Sequence, residues 1–143
     1  MKIFMDTSSL FKLYHTEEGT TELDNFLSQN KIIAIYLSEL TSIEFASTVW
    51  KKARKKNISI LEAQVVTESF ERDLPKYTFI NLNTVIVDKA RDLIATYGFR
   101  GLRSLDSIQL ATAVMLRNKS DLFLTSDKLL NSFLKEESLS VSI

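Results

Sequence analysis

At 143 residues, with 45% hydrophobic and 25% charged side chains, the chain has the size and composition of one globular domain that can bury a core without crosslinks. It has no cysteine and a single histidine, His15, so disulfides, thiolate sites and a multi-histidine zinc centre are excluded, and any metal has to be held by oxygen. Basic and acidic residues, 18 of each, cancel, so attraction to nucleic acid must come from a local patch. The opening lacks a signal-peptide pattern and no apolar run approaches the ~18 residues of a membrane span, which points to a cytoplasmic protein with no membrane partner.

Residues 2–6 (KIFMD) are apolar up to a terminal acid, the pattern of a short strand buried on both faces. Residues 8–14 predict a helix with Leu10, Phe11 and Tyr14 inward, and residues 20–30 a second one. Residues 32–36 (IIAIY) read as the next strand. The long helix at 38–56 is expected to bury a stripe of Ile43, Ala46, Val49, Trp50 and Ala53. Ser59 and Glu62 match a capping box that opens a helix to about Arg72, ended by Pro75. A third strand follows at 77–82. Asn83 is placed to cap a helix at 84–97, with Gly98 as its stop. Residues 102–117 form the next helix, 121–125 (DLFLT) a fourth strand, 127–135 a last helix and 139–143 an edge strand. Apolar strands alternating with helices, without repeat or linker, indicate a single α/β domain over residues 1–143, built on a mostly parallel sheet.

The helix at 102–117 (LRSLDSIQLATAVMLR) is apolar almost all round, yet Asp106 shares a face with Leu102, Leu110 and Ala113. A carboxylate on a core-facing helix is costly unless something compensates it. With Ser104 as cap, Asp106 would fall in the first turn, where the helix dipole favours negative charge. Other acids are placed to meet it. In open α/β sheets the functional crevice lies beyond the carboxyl ends of the strands; Asp6 ends the first strand, Asp127 follows the fourth, and Glu44 lies early in the helix after the second, beside Ser47 and Thr48. Each has a local alternative too: Asp6 and Asp127 as helix caps, Glu44 as the partner of Thr41 in a capping box. Convergence is costly, since two like charges 4 Å apart repel by about 4 kcal/mol at an effective dielectric of 20. A divalent cation removes that cost, and it can activate water and stabilise an in-line displacement at phosphorus.

These pieces carry a family resemblance. The opening KIFMDTSSLFKLY, the EEG of Glu17–Gly19, LTSIEFAS around Glu44, LRSLDSIQLATA around Asp106 and LFLTSDKLL around Asp127 resemble the PIN-domain ribonucleases, and among them the VapC toxins of toxin–antitoxin pairs. The resemblance implies a three-layer α/β/α PIN-like fold and an Mg²⁺- or Mn²⁺-dependent endoribonuclease. Its partners would be RNA and a cognate antitoxin protein, and the chain would form a homodimer. It implies that Asp6, Glu44, Asp106 and Asp127 form the acidic site, with Asp6 and Asp106 as direct metal ligands and Ser8 and Thr125 orienting carboxylates behind them. One departure is Gln109, where many relatives carry histidine; this touches local packing or substrate fit more than the four acids.

Lys51, Lys52, Arg54, Lys55 and Lys56 put five positive charges within six residues, and Lys51 and Lys55 extend the face of Glu44 and Thr48. They form either a phosphate track leading from the site or a solvated helix end favoured by the dipole. Arg100 and Arg103 either contact phosphate or pair with acids. Val65, Val66 and Phe70 belong to the core or, where exposed, to a dimer or antitoxin surface. Two rival classes fit poorly: a phospho-acceptor domain needs an aspartate ending the third strand, where Asn81 and Asn83 stand, and a haloacid-dehalogenase-type phosphatase needs one at Ser8. A PIN-like scaffold without nuclease activity, and a nuclease that is not a toxin, remain as alternatives.

Overall fold

Side chains alternate along the strands and so divide the core in two. Phe4 packs on one face of the sheet while Ile3 and Met5 pack on the other, and Phe123 parts from Leu122 and Leu124 in the same way. The computed structural model describes residues 1–142. Its strands are β1 (Lys2–Met5), β2 (Ala34–Ser38), β3 (Thr78–Ile80) and β4 (Leu122–Leu124), all parallel, in the order β3-β2-β1-β4. Lys2 is in register with Ala34, Ile3 with Leu122 and Tyr36 with Thr78.

Helices cover both faces, which makes three α/β/α layers. Over Ile3, Met5, Leu37 and Leu124 lie α1 (Thr7–Phe11), α2 (Thr20–Gln29), α3 (Leu40–Arg54) and α4 (Ile60–Asp73). Over Phe4 and Phe123 lie α5 (Thr84–Tyr97), α6 (Ser104–Met115) and α7 (Lys128–Glu136). The chain moves outward from β1 through β2 to β3, then jumps back to β4 on the far side of β1. The strand order therefore reverses between β1 and β4, and the carboxyl ends of those two strands flank a switch-point crevice.

Local signals set most helix starts. The Ser59/Glu62 capping box is formed, and Asn83 accepts from Ile86 N–H at 3.0 Å to cap α5. Pro75 stands in the 3₁₀ turn Leu74–Lys76 that ends α4. Several expectations are corrected. β2 begins at Ala34 rather than Ile32, because pairing with β1 starts only at Lys2, and Ile33 is exposed. The helix at 84–97 does stop at Gly98, its C-cap, but Gly98 keeps right-handed helical angles (φ −59°) and opens a 3₁₀ turn; the left-handed glycine of this connection is Gly101 (φ 107°). Arg103, not Ser104, is the cap position of α6, and no side chain caps it.

Of the stripe expected on α3, Val49 is buried and Ala53 packs on the core, but Ala46, Ile43 and Trp50 are exposed, the last two by 69% and 43%, and Thr41 and Phe45 are buried instead. Phe45 wins the interior because it stacks on Phe70 of α4 at 4.1 Å and meets Tyr14 edge-on at 5.4 Å. On α4, Val66 and Phe70 are buried and Val65 is exposed. The expected edge strand reduces to a single bridge between Phe123 and Val141, with Ile143 outside the described residues.

Candidate active site

Asp6 is the first residue beyond β1, and its extended backbone (φ −80°, ψ 176°) turns the chain into α1. Its side chain caps that helix by accepting from Ser9 N–H at 2.9 Å. Three hydroxyls also donate to it: Ser8 at 2.9 Å to each oxygen, Ser9 at 2.9 Å and Thr125 at 2.6 Å. The residue is only 4% exposed. Burial raises its pKa above the ordinary aspartate value, and the hydrogen bonds from Thr125, Ser9 and Ser8 pull the other way. Asp6 is thus both a helix cap and a buried carboxylate held in place by hydroxyls.

Thr125 follows β4 as Asp6 follows β1, and the two strands are neighbours. Its hydroxyl lies 3.3 Å from that of Ser8 and accepts from Asp127 N–H at 3.1 Å. Asp127 caps α7 by accepting from Leu130 N–H at 2.8 Å and is exposed.

Asp106 stands in the first turn of α6, half-buried. Desolvation first, then the negative charges of Asp127, Glu44 and Asp6, push its pKa up to about 6, and Arg103 opposes this. Three acids from three other segments are therefore close enough to act on this one carboxyl.

Glu44, on α3, is fixed through Oε1, which accepts from the Thr7 hydroxyl at 2.9 Å and from the Gln109 amide at 2.7 Å. Thr41 makes no capping box with it; that hydroxyl is buried against Thr7 and Gln109.

All four acids, with Ser8 and Gln109, line a cleft of about 320 Å³. Lys52 lines it too, 3.8 Å from Glu17 and 5.4 Å above the Phe11 ring. Lys51 and Lys55 are exposed and do not line it. Arg100 braces the scaffold: it pairs with Glu136 at 3.0 Å and lies over the rings of Tyr97 and Phe133. Arg103 is exposed beside Asp106.

Thr7, Glu17 and Thr41 join the site without having been singled out for it. Thr7 is adjacent to Asp6 and Thr41 is one turn before Glu44, but a polar neighbour of an acid is too common a signal to select them.

Among the described residues, no three acids close on one point as a complete carboxylate cage would. The donors nevertheless suit a hard cation: every candidate is an oxygen, and beyond the desolvation that chiefly raises the Asp106 pKa, Asp127, Glu44 and Asp6 add negative charge that a divalent ion would offset. Mg²⁺ keeps several waters and needs only one or two carboxylates directly.

A family profile described as the PIN domain matches residues 3–133. This chain belongs to the PIN-domain family. The PIN domain superposes on solved structures of low sequence identity. VapC20 of Mycobacterium tuberculosis, described as a sarcin–ricin-loop-cleaving toxin, matches with TM-score 0.68 and 14% identity, over 92% of this chain and 94% of that one. FitAcB of Neisseria gonorrhoeae matches with TM-score 0.74 and 16% identity, over 99% and 96%. VapBC2 of Rickettsia felis, bound to a DNA fragment from its promoter, gives TM-score 0.65 and 14% identity, over 99% and 98%. No curated protein matches the sequence. No helix among the described residues is long and apolar enough to cross a membrane.

Proposed function

We propose that this PIN domain is a divalent-metal-dependent endoribonuclease and the toxin of a toxin–antitoxin pair, held inactive in the cytoplasm by its cognate antitoxin. The observation that carries the reading is that Asp6, Glu44, Asp106 and Asp127, from four separate segments, line one cleft. Acids gathered at a cost in repulsion fit the holding of Mg²⁺ or Mn²⁺ better than they fit folding. When bound, the ion supplies charge that polarises water and stabilises the phosphate in an in-line displacement.

The chain's own residues divide the work. Asp6 and Asp106 hold the ion, Asp6 with its oxygens fixed by Ser8, Ser9 and Thr125. Glu44 and Asp127 accept hydrogen bonds from water at the rim of the cleft. Lys52 and Arg103 supply the positive charge that meets the RNA backbone. Structural likeness to VapC20 supports RNA as substrate, and likeness to FitAcB and VapBC2 supports an antitoxin partner.

The test is brief induction in cells of wild type beside Asp106→Asn, with new RNA 5′ ends mapped across the transcriptome. Discrete ends and growth arrest with wild type alone support the nuclease. Identical maps from both proteins, equally expressed and free of antitoxin, replace it with an RNA- or protein-binding scaffold.

A further inference from the structure

Gln109 is buried in the first half of α6, 2% exposed, and its amide faces the acidic cleft. Nε2 lies 2.7 Å from Glu44 Oε1, 3.1 Å from Thr41 Oγ1 and 3.3 Å from Thr7 Oγ1. Its Oε1 is buried with no hydrogen-bond partner among the described residues. The orientation is imposed by Glu44: an ionised carboxylate only accepts, so the NH₂ end must face it. A buried carbonyl left unpaired costs about 1–3 kcal/mol, which offsets what the amide gains from the Thr41 and Thr7 hydroxyls. The 2.7 Å bond to Glu44 remains to favour the arrangement. Thr7 and Gln109 both donate to the same oxygen, Oε1, and among the described residues no donor reaches Oε2 of this cleft-lining side chain.

From this geometry we infer that Gln109 is a positioning residue for metal binding: its amide clamps Glu44 Oε1 so that Oε2 is presented to the ion or its water shell. The inference rests on the metal-dependent reading above and adds a residue outside the four acids. The closest contact of the amide is with Glu44, ahead of the Thr41 and Thr7 hydroxyls, while its other end stays unpaired among the described residues.

Gln109→Leu keeps the volume and removes both ends of the amide. Mn²⁺ affinity is read by titration calorimetry, and fold stability by thermal melting in chelator. A tenfold or greater rise in the Mn²⁺ dissociation constant is expected, the range seen when a ligand loses its supporting partner, with a melting temperature unchanged or raised. Unchanged Mn²⁺ affinity overturns the inference, whatever happens to the melting temperature.

Should Gln109→Leu lower stability as well, Val49→Ala provides the comparison, since it loosens the core of the helix that carries Glu44 without touching the site. An equal loss of Mn²⁺ affinity in both variants at equal loss of stability overturns the positioning role, and a loss confined to Gln109→Leu supports it. Gln109→His, which can still donate to Glu44, is expected to recover most of the affinity. Wild type decides the reading underneath: without Mn²⁺ binding by wild type the metal-dependent function itself falls, whereas binding that Gln109→Leu leaves intact sinks only the clamp.

Discussion

Thr125 donates a 2.6 Å hydrogen bond to Asp6 Oδ2 across 119 residues of sequence, tying the end of β4 to the end of β1. Ser8 spans the same gap, bonding both oxygens of Asp6 and accepting from Ser126 N–H at 2.9 Å. These contacts hold a buried carboxylate in one orientation and favour its charged form.

Thr125→Val keeps the shape and removes that donor. If Asp6 is a direct ligand, the metal concentration needed for half-maximal cleavage rises about tenfold, and Asp6 protonates more readily because one opposing bond is gone. Cleavage against Mn²⁺ concentration, for Thr125→Val beside Thr125→Ser, checks this. Serine keeps the hydroxyl and is expected to stay near wild type.

The pKa of Asp106 gives a stability prediction with a definite sign. Its folded value, about 6, lies above the ordinary 3.8, so the folded state binds this proton more tightly than the unfolded chain. That contribution is full below pH 3.8, falls as pH rises through about 6 and is absent above it. In chelator, Asp106→Asn is therefore expected to melt higher than wild type at pH 7, with the difference shrinking toward pH 4. Taking the difference between the two proteins cancels Asp73, whose lowered pKa acts in the opposite direction through Lys76 and Tyr14. Adding Mg²⁺ at pH 7 should raise wild type toward the variant. A variant that melts lower than wild type at pH 7 would mean that Asp106 is stabilising rather than strained.

What the sequence revealed and what it hid follow from how far apart the deciding partners lie. The Ser59 and Asn83 caps were legible because each bonds an N–H three residues on. The runs around Phe4 and Phe123 announced buried strands because both faces of the sheet are covered. The inward face of α3 was only partly legible: Val49 was placed inward, but Ile43 and Trp50 extend its stripe as well as Phe45 does, and contacts from Tyr14 and Phe70 decide for Phe45. The role of Arg100 depends on Glu136, 36 residues away. Asp6, Glu44 and Asp127 could be placed at one edge from the strands they follow, but Asp106 follows a helix and joined them only through the family resemblance, and the clamp on Glu44 needs positions 7, 41 and 109 brought together.

The basic residues divide by position in a way that salt dependence can read. Lys52 lines the cleft and Arg103 lies close enough to Asp106 to oppose its raised pKa, while Lys51 and Lys55 are exposed and do not line the cleft. Each phosphate contact contributes about 0.7 to the slope of log affinity against log salt on a single strand. Measured with Asp106→Asn to prevent cleavage, Arg103→Ala and Lys52→Ala are each expected to weaken RNA binding and lower that slope by roughly this amount. Lys51→Ala and Lys55→Ala should leave the slope unchanged. A slope lowered by the second pair alone would move the RNA track onto the exposed end of α3.

Two glycines of one connection should respond unequally to alanine, because only one of them needs to be glycine. Gly101 has φ 107°, a conformation that side chains rarely adopt, and a Cβ there would stand 3.2 Å from Leu129 Cδ2. Both effects oppose Gly101→Ala, with an expected loss of about 1–3 kcal/mol in urea unfolding. Gly98 already has helical angles, and its Cβ would meet only Ile94 Cγ2 at 3.2 Å. Gly98→Ala gains by restricting the unfolded chain and loses by crowding Ile94, so it should fall within about 1 kcal/mol of wild type. The loop also carries function, because it leads directly into Arg103 and Asp106. Gly101→Ala should therefore reduce cleavage by more than the unfolded fraction accounts for, and Gly98→Ala should not. Equal effects of the two substitutions on both stability and cleavage would show that the left-handed turn at Gly101 does not position the start of α6.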